Sequence, residues 1–267
     1  MPTVRSGPVI GLTAQLVVLA TLAATVGLDT AGWLAGVGYA AVTCLALSRG
    51  LHLSGASRLG PADRVTLARG VLVGAVTALV VDSFDRPTPV GLLVALSTVA
   101  LLLDAVDGQV ARRTGTASAL GARFDMEVDA FLILVLSVYV APTAGSWVLA
   151  IGAMRYAFVA ASAVLPWLRG TLPPRFWRKL VAAAQGVLLT VAAARALPEP
   201  WTTLVLVVAL ALLVESFGRD VAWLWRRRPA SRPARSLLPV PAPTLPLPRP
   251  ALAARSGGRV HSDWRPR

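Results

Sequence analysis

Four aspartates between positions 104 and 129 are the residues of this chain best suited to chemistry. With their small and basic neighbours they read Asp104-x₂-Asp107-Gly108-x₂-Ala111-Arg112-x₈-Gly121-x₃-Asp125-x₃-Asp129, between two strongly apolar stretches, Val90–Val106 and Phe131–Val140. Acids at the end of a membrane helix are costly unless they bind something positive, so they mark a functional site by default. On a helix, Asp104, Asp107, Gly108 and Ala111 stand at i, i+3, i+4 and i+7 and form one stripe, while Gly121, Asp125 and Asp129 form a second at i, i+4 and i+8. A short turn through Arg113-Thr114-Gly115 joins them, so the stripes can face each other.

Four carboxylates would then converge with no histidine or thiolate nearby, an all-oxygen set that suits Mg²⁺ or Mn²⁺ rather than structural zinc. Two such ions can clamp a diphosphate and stabilise charge on its bridging and leaving oxygens. Gly108, Ala111 and Gly121 keep side chains off the stripes and leave room for a ligand group, although small residues also let membrane helices pack closely. Arg112 is placed for a phosphate contact, or to snorkel as an interfacial cation.

The elements that must position these acids are set by composition. Hydrophobic residues make up 55% of the chain and charged residues 15%, with a mean hydropathy of +0.66. Apolar stretches of 16 to 21 residues recur, long enough to cross a bilayer as helices. Lipid-exposed strands and loops could not satisfy their backbone there, so the expected fold is all-α, a polytopic transmembrane helical bundle. Eight spans are predicted, at 9–28, 32–48, 65–82, 89–109, 124–141, 146–166, 179–196 and 201–224. Asp29-Thr30 and the glycine before Trp33 mark a tight turn, which makes the first two spans a hairpin. The single cysteine, Cys44, excludes an intrachain disulfide and a thiolate metal cluster and reads as a small buried hydrophobe.

Arginines alternate between loops. Arg49, Arg58 and Arg64 precede the third span, Arg112, Arg113 and Arg123 follow the fourth, and Arg169, Arg175, Arg178 and Lys179 follow the sixth. The opposite loops hold Asp29, then Asp82, Asp85 and Arg86, then Arg195 and Glu199. The positive-inside rule therefore predicts both termini and the aspartates on the cytoplasmic side of a cell membrane. Of the net charge of +13, +9 lies from Arg226 onward, in a stretch with ten arginines and nine prolines that cannot build a core and reads as a disordered tail. A basic tail directly after a membrane helix suits anionic lipid headgroups rather than nucleic acid.

The segment Asp104–Asp129 resembles the signature of the CDP-alcohol phosphatidyltransferases at all eight named positions. Polyprenyl-transferring enzymes also carry acid clusters in membrane bundles, but without this Asp-Gly-x₂-Ala-Arg and Gly continuation. The resemblance extends to a six-helix core, opened by Pro61-Ala62-Asp63-Arg64-Val65-Thr66-Leu67-Ala68-Arg69, which is similar to the family's proline-asparagine…threonine…arginine pattern but has Asp63 where asparagine is usual. Mixed apolar and basic residues there also suit a piece lying along the interface before the third span. The implied organisation is an N-terminal hairpin at 1–50, the core at 51–225 and the tail at 226–267.

The resemblance implies transfer of a phosphatidyl group from a CDP-linked lipid, CDP-diacylglycerol, to a small polar alcohol, with CMP released. It implies Asp104, Asp107 and Asp125 as metal ligands, Asp129 as general base and further ligand, and Thr66, Gly108, Ala111, Arg112 and Gly121 at the CDP diphosphate. It also implies membrane lipids as surroundings and a homodimer through the membrane helices.

The acceptor is the least determined part. Arg155 lies inside the sixth span, where a lone charge is expensive; it either pairs with a motif carboxylate or binds an acceptor phosphate, as in glycerol 3-phosphate or inositol phosphate. Arg123, Arg178 and Lys179 could complete an anion pocket or serve only as positive-inside charges. Arg178-Lys179-x₅-Gln185 resembles a basic-then-glutamine pattern of some members, and Glu215 is expected to hydrogen-bond inside the bundle. Two other readings are a divalent-cation transporter, disfavoured because the acids cluster at one end of two adjacent helices, and an inactive relative acting as a membrane partner.

Overall fold

The computed structural model describes residues 6–54, 60–114, 118–173 and 175–228, with side chains for all of these but Ser6, Ser54, Asp107 and residues 110–114. The tail expected to be disordered lies outside the described residues from 229 onward. Eight α-helices follow one another: α1 Ser6–Val26, α2 Thr30–Ser54, α3 Pro61–Asp82, α4 Val90–Thr114, α5 Ala119–Ala144, α6 Leu149–Val164, α7 Phe176–Ala193 and α8 Glu199–Arg226. Each coincides with one expected span. Among the described residues six helices (α1, α2, α3, α6, α7 and α8) are long and apolar enough to cross a membrane, and α4 offers the shorter apolar run Val90–Val106. Length and composition thus qualify six of the eight expected spans, and the two that fall short are those carrying the four aspartates.

The expected hairpin is present. Gly27, at φ +75°, ends α1 in a backbone region that side chains disfavour, and the Asp29 N–H donates to Asp82 Oδ1 at 2.8 Å, fixing the turn to the end of α3. Leu19 and Leu22 of α1 enter the same core as Val76 and Leu79 of α3, Leu136 of α5 and Leu189 of α7.

α3 is the central helix. Buried residues make up 72% of its apolar window, against 17–39% in the other five, and α2, α4 and α5 pack on it most extensively. It starts where Pro61 supplies a fixed φ and lacks an N–H that would go unpaired, and the Asp63 carboxylate accepts the Gly60 N–H at 3.0 Å. From Pro61 it runs unbroken to Asp82, so residues 61–69 are the first turns of this helix and not a separate interfacial piece. The reason is a continuous buried stripe, Ala62, Asp63, Thr66, Arg69, Gly70 and Val73, at helical spacing.

α5 opens on Ser118, whose Oγ accepts the Gly121 N–H at 2.8 Å. α4 and α5 both pack against α3 and against α7. Outward-facing Leu34, Val42, Leu45, Val159 and Val208 leave apolar side chains on the periphery, as a lipid-facing surface requires.

Candidate active site

The site is built around Arg69, which is 1% exposed although it lies within an apolar helix. A buried guanidinium is tolerable only with carboxylate partners, and three converge on it. Its NH1 donates to Asp104 Oδ1 of α4, and its NH2 donates to Asp125 Oδ1 of α5. NH2 also reaches the Asp125 carbonyl at 3.2 Å and lies 3.2 Å from Asp129 Oδ1. Asp125 and Asp129 stand one turn apart on α5 and Asp104 arrives from α4, so α3 supplies the link between the two acid-bearing helices.

The acids are only partly covered. Asp104, Asp125 and Asp129 keep 34%, 37% and 35% of their side-chain surface exposed, so the cluster can be reached from outside. One oxygen from each lies within 4.8 Å of the others. Three carboxylates share one arginine, which leaves negative charge uncompensated by that arginine. Hard oxygen donors, convergence and access together fit a divalent cation of the Mg²⁺ or Mn²⁺ class. Asp107 lies on α4 one turn beyond Asp104; its side chain, like those of Ala111 and Arg112 further along the same helix, is outside the described part. Gly108 follows on the same helix, half-buried.

Two of the expected substrate contacts have structural uses as well. Thr66 is buried, and its Oγ1 donates to the Ala62 carbonyl at 3.2 Å within α3. Gly121 is buried in the first turn of α5, and a Cβ there would run into the carboxylate of Asp63 and come within 3.0 Å of Ser118 Oγ. Its missing side chain is therefore filled by Asp63 from the first turn of α3, which lets the starts of α3 and α5 approach closely.

The four cations expected to bind an acceptor are dispersed. Arg155 does pair with an acid, but with Glu127, not with one of the four aspartates. Glu127 is a fifth acid in the motif region, two residues past Asp125 and therefore on a different face of α5. Arg178 lies 3.4 Å from Asp220 of α8 and also donates to the Pro173 carbonyl. Arg123 and Lys179 are exposed. None of the ion pairs among the described residues joins these four to Asp104, Asp125 or Asp129. Gln185 is fully buried and donates to the Ala209 carbonyl at 3.0 Å, a tie between α7 and α8. Glu215 accepts the Trp177 indole N–H at 3.0 Å and also pairs with Arg219, but at an exposed position rather than inside the bundle as expected.

Sequence reasoning gave Arg69 and Glu127 no role. The signal for Arg69 was present, an arginine on the buried stripe that already contains Asp63 and Thr66. Glu127 offered only its position between two assigned acids.

Fold and site together define a polytopic helical membrane protein with a partly exposed acid cluster that could hold a metal ion. The family model for CDP-alcohol phosphatidyltransferase matches residues 59–215, and the chain belongs to that family. It is accordingly a membrane transferase of the phosphatidyl-transferring class, and the transporter reading falls away. No curated protein and no solved structure gives a match. The matched stretch begins just before α3 and ends within α8, so the α1–α2 hairpin lies outside it.

Proposed function

We propose that this enzyme transfers the phosphatidyl group of CDP-diacylglycerol to a small polar alcohol and releases CMP. The observation that carries this reading is the convergence of Asp104, Asp125 and Asp129 within 4.8 Å at a partly exposed position. Mg²⁺ or Mn²⁺, held by these three with Asp107, would supply electrostatic stabilisation of the charge that develops on the diphosphate. The chain's own residues do the rest. The acceptor hydroxyl oxygen forms a bond to the lipid-side phosphorus as the bond between that phosphorus and the CMP oxygen breaks. Asp129, within hydrogen-bond reach of that hydroxyl, takes its proton. Gly108 and Ala111 leave space beside the acids on α4 for the nucleotide, and Arg112 holds a phosphate oxygen.

Glycerol 3-phosphate and inositol phosphate are the acceptors this reading favours, because Arg123, Arg155, Arg178 and Lys179 supply cations on α5, α6 and α7. Of these, Arg155 and Arg178 would have to exchange an existing carboxylate partner for the acceptor phosphate. The alternation of charged loops supports a position of the active end on the cytoplasmic side of the cell membrane. The packing of Arg227 over Trp223 and of Arg228 over Trp225, with the guanidinium 4.3 Å and 3.7 Å from the ring centres, supports an interfacial position for the end of α8.

The test is CMP release from CDP-diacylglycerol by the purified full-length protein with Mg²⁺. Glycerol 3-phosphate, inositol phosphate, free inositol and serine are offered in turn, with Asp129→Asn as control. Release with one acceptor that disappears in the variant establishes both reaction and product. Release that persists in Asp129→Asn refutes the base assignment, and silence with all four acceptors refutes the substrate pair.

A further inference from the structure

We propose that Arg69 is a resident cation of the carboxylate cluster: it holds Asp104, Asp125 and Asp129 together against their mutual repulsion and competes with the divalent ion for their oxygens. The inference rests on the metal-binding reading above and adds a determinant of affinity to it. A guanidinium stays protonated throughout the physiological range, so the charge that Arg69 brings is permanent. It is aimed by burial, since the side chain is 1% exposed and its NH1 and NH2 are spent on two different helices, Asp104 on α4 and Asp125 on α5. Asp129 completes the arrangement at 3.2 Å. These three acids are the same ones whose oxygens converge within 4.8 Å. A divalent ion and the guanidinium must therefore draw on one set of carboxylates at short range, where like charges repel strongly.

Two opposing effects follow from removing Arg69. Loss of the bridge frees Asp104 from α5, which weakens the site. Loss of the positive charge removes repulsion against the incoming ion, which strengthens it. Asp125 and Asp129 need no bridge to stay side by side, because one helix carries both at i and i+4. Only Asp104 loses its tether, and α4 is also held by its extensive packing on α3. The charge effect, doubled by the ion's own valence, therefore dominates.

The experiment is a titration of the full-length protein in detergent with Mn²⁺ alone, following free Mn²⁺ by electron paramagnetic resonance. Arg69→Met is expected to bind Mn²⁺ about tenfold more tightly than the parent protein, because a cation at the same oxygens has been removed. Arg69→Lys keeps the charge but cannot bridge two helices, and its affinity is expected to stay within about threefold of the parent. Unchanged or weaker binding by Arg69→Met overturns the inference, since a purely structural arginine would only lower affinity when lost. Should Arg69→Met fail to fold, Arg69→Lys decides: a loss greater than about threefold shows that bridging geometry, not charge, sets the affinity. A parent protein that takes up no Mn²⁺ removes the metal-binding reading together with this one. Uptake by the parent that Arg69→Met does not strengthen removes this one alone.

Discussion

Acids meet arginine at two places along α3, and the two are organised oppositely. At its C-terminal end Asp82 is a single carboxylate with a full set of partners: one oxygen accepts the Asp29 N–H at 2.8 Å, and the other lies 3.1 Å from Arg86. Its side chain is 4% exposed. Nearer the N-terminal end, one arginine is surrounded by three carboxylates, each about a third exposed. An acid matched oxygen for oxygen and closed off from solvent belongs to the framework, here the lock between the α1–α2 turn and α3. Acids that gather around one arginine and remain reachable from outside are placed to bind something more. Convergence and access, rather than the mere presence of buried charge, separate architecture from chemistry in this bundle.

Substitutions at the two places should separate activity from stability. The largest effect is expected for Asp129→Asn, which should reduce CMP release by about a thousandfold, within the range usual for loss of a general base. Its Tm in detergent should not fall by more than a degree or two, because the change is isosteric and Arg69 keeps its pairs with Asp104 and Asp125. A large drop in Tm would place Asp129 in the framework instead. Gly121→Ala comes next. The added methyl has to displace the Asp63 carboxylate, an overpacking cost of about 1–3 kcal/mol, and the shift of α5 that relieves it carries Asp125 along. Both Tm and CMP release should therefore drop together, which thermal denaturation and the transfer assay will register.

Asp82→Asn should behave as the mirror image of Asp129→Asn. One charge-assisted pair is weakened at a buried position, at a cost of about 1–3 kcal/mol, visible as a lower Tm. CMP release measured well below that Tm should stay within a fewfold of the parent. The smallest effect is expected for Arg86→Ala, where the partner is 41% exposed and sits at i+4 from Asp82. Exposed pairs of this kind contribute about 1 kcal/mol or less, so Tm should move slightly and activity not at all. A loss of activity in Asp82→Asn or Arg86→Ala would erase the distinction between the two ends.

Much of this could be read along the chain, because it is encoded locally. The helices lie where the sequence placed apolar spans, the hairpin turns next to the Asp29-Thr30 that marked it (the glycine before Trp33 lies inside α2), and the stripe of Asp125 and Asp129 follows from their i, i+4 spacing. What periodicity cannot give is which helix stands opposite which. The acids of α4 and α5 converge as their spacing suggested, but the spacing did not show that α3 supplies the arginine that joins Asp104 to Asp125 and Asp129. The same blindness hid the partner of Arg155, since Glu127 lies on a face of α5 that the motif spacing does not mark. Gly121 shows the limit in another form. A glycine beside an acid stripe reads as space for a ligand, but here the nearest occupant of that space is Asp63, a residue remote in sequence.

The most direct test of the central claim is CMP release from CDP-diacylglycerol measured before and after removal of divalent ions with EDTA, in the parent protein, Asp125→Asn and Asp82→Asn. Release in the parent and in Asp82→Asn is expected to be abolished by EDTA and restored by Mg²⁺ or Mn²⁺, with none in Asp125→Asn under either condition. Release that survives EDTA, or that persists in Asp125→Asn, would contradict that claim.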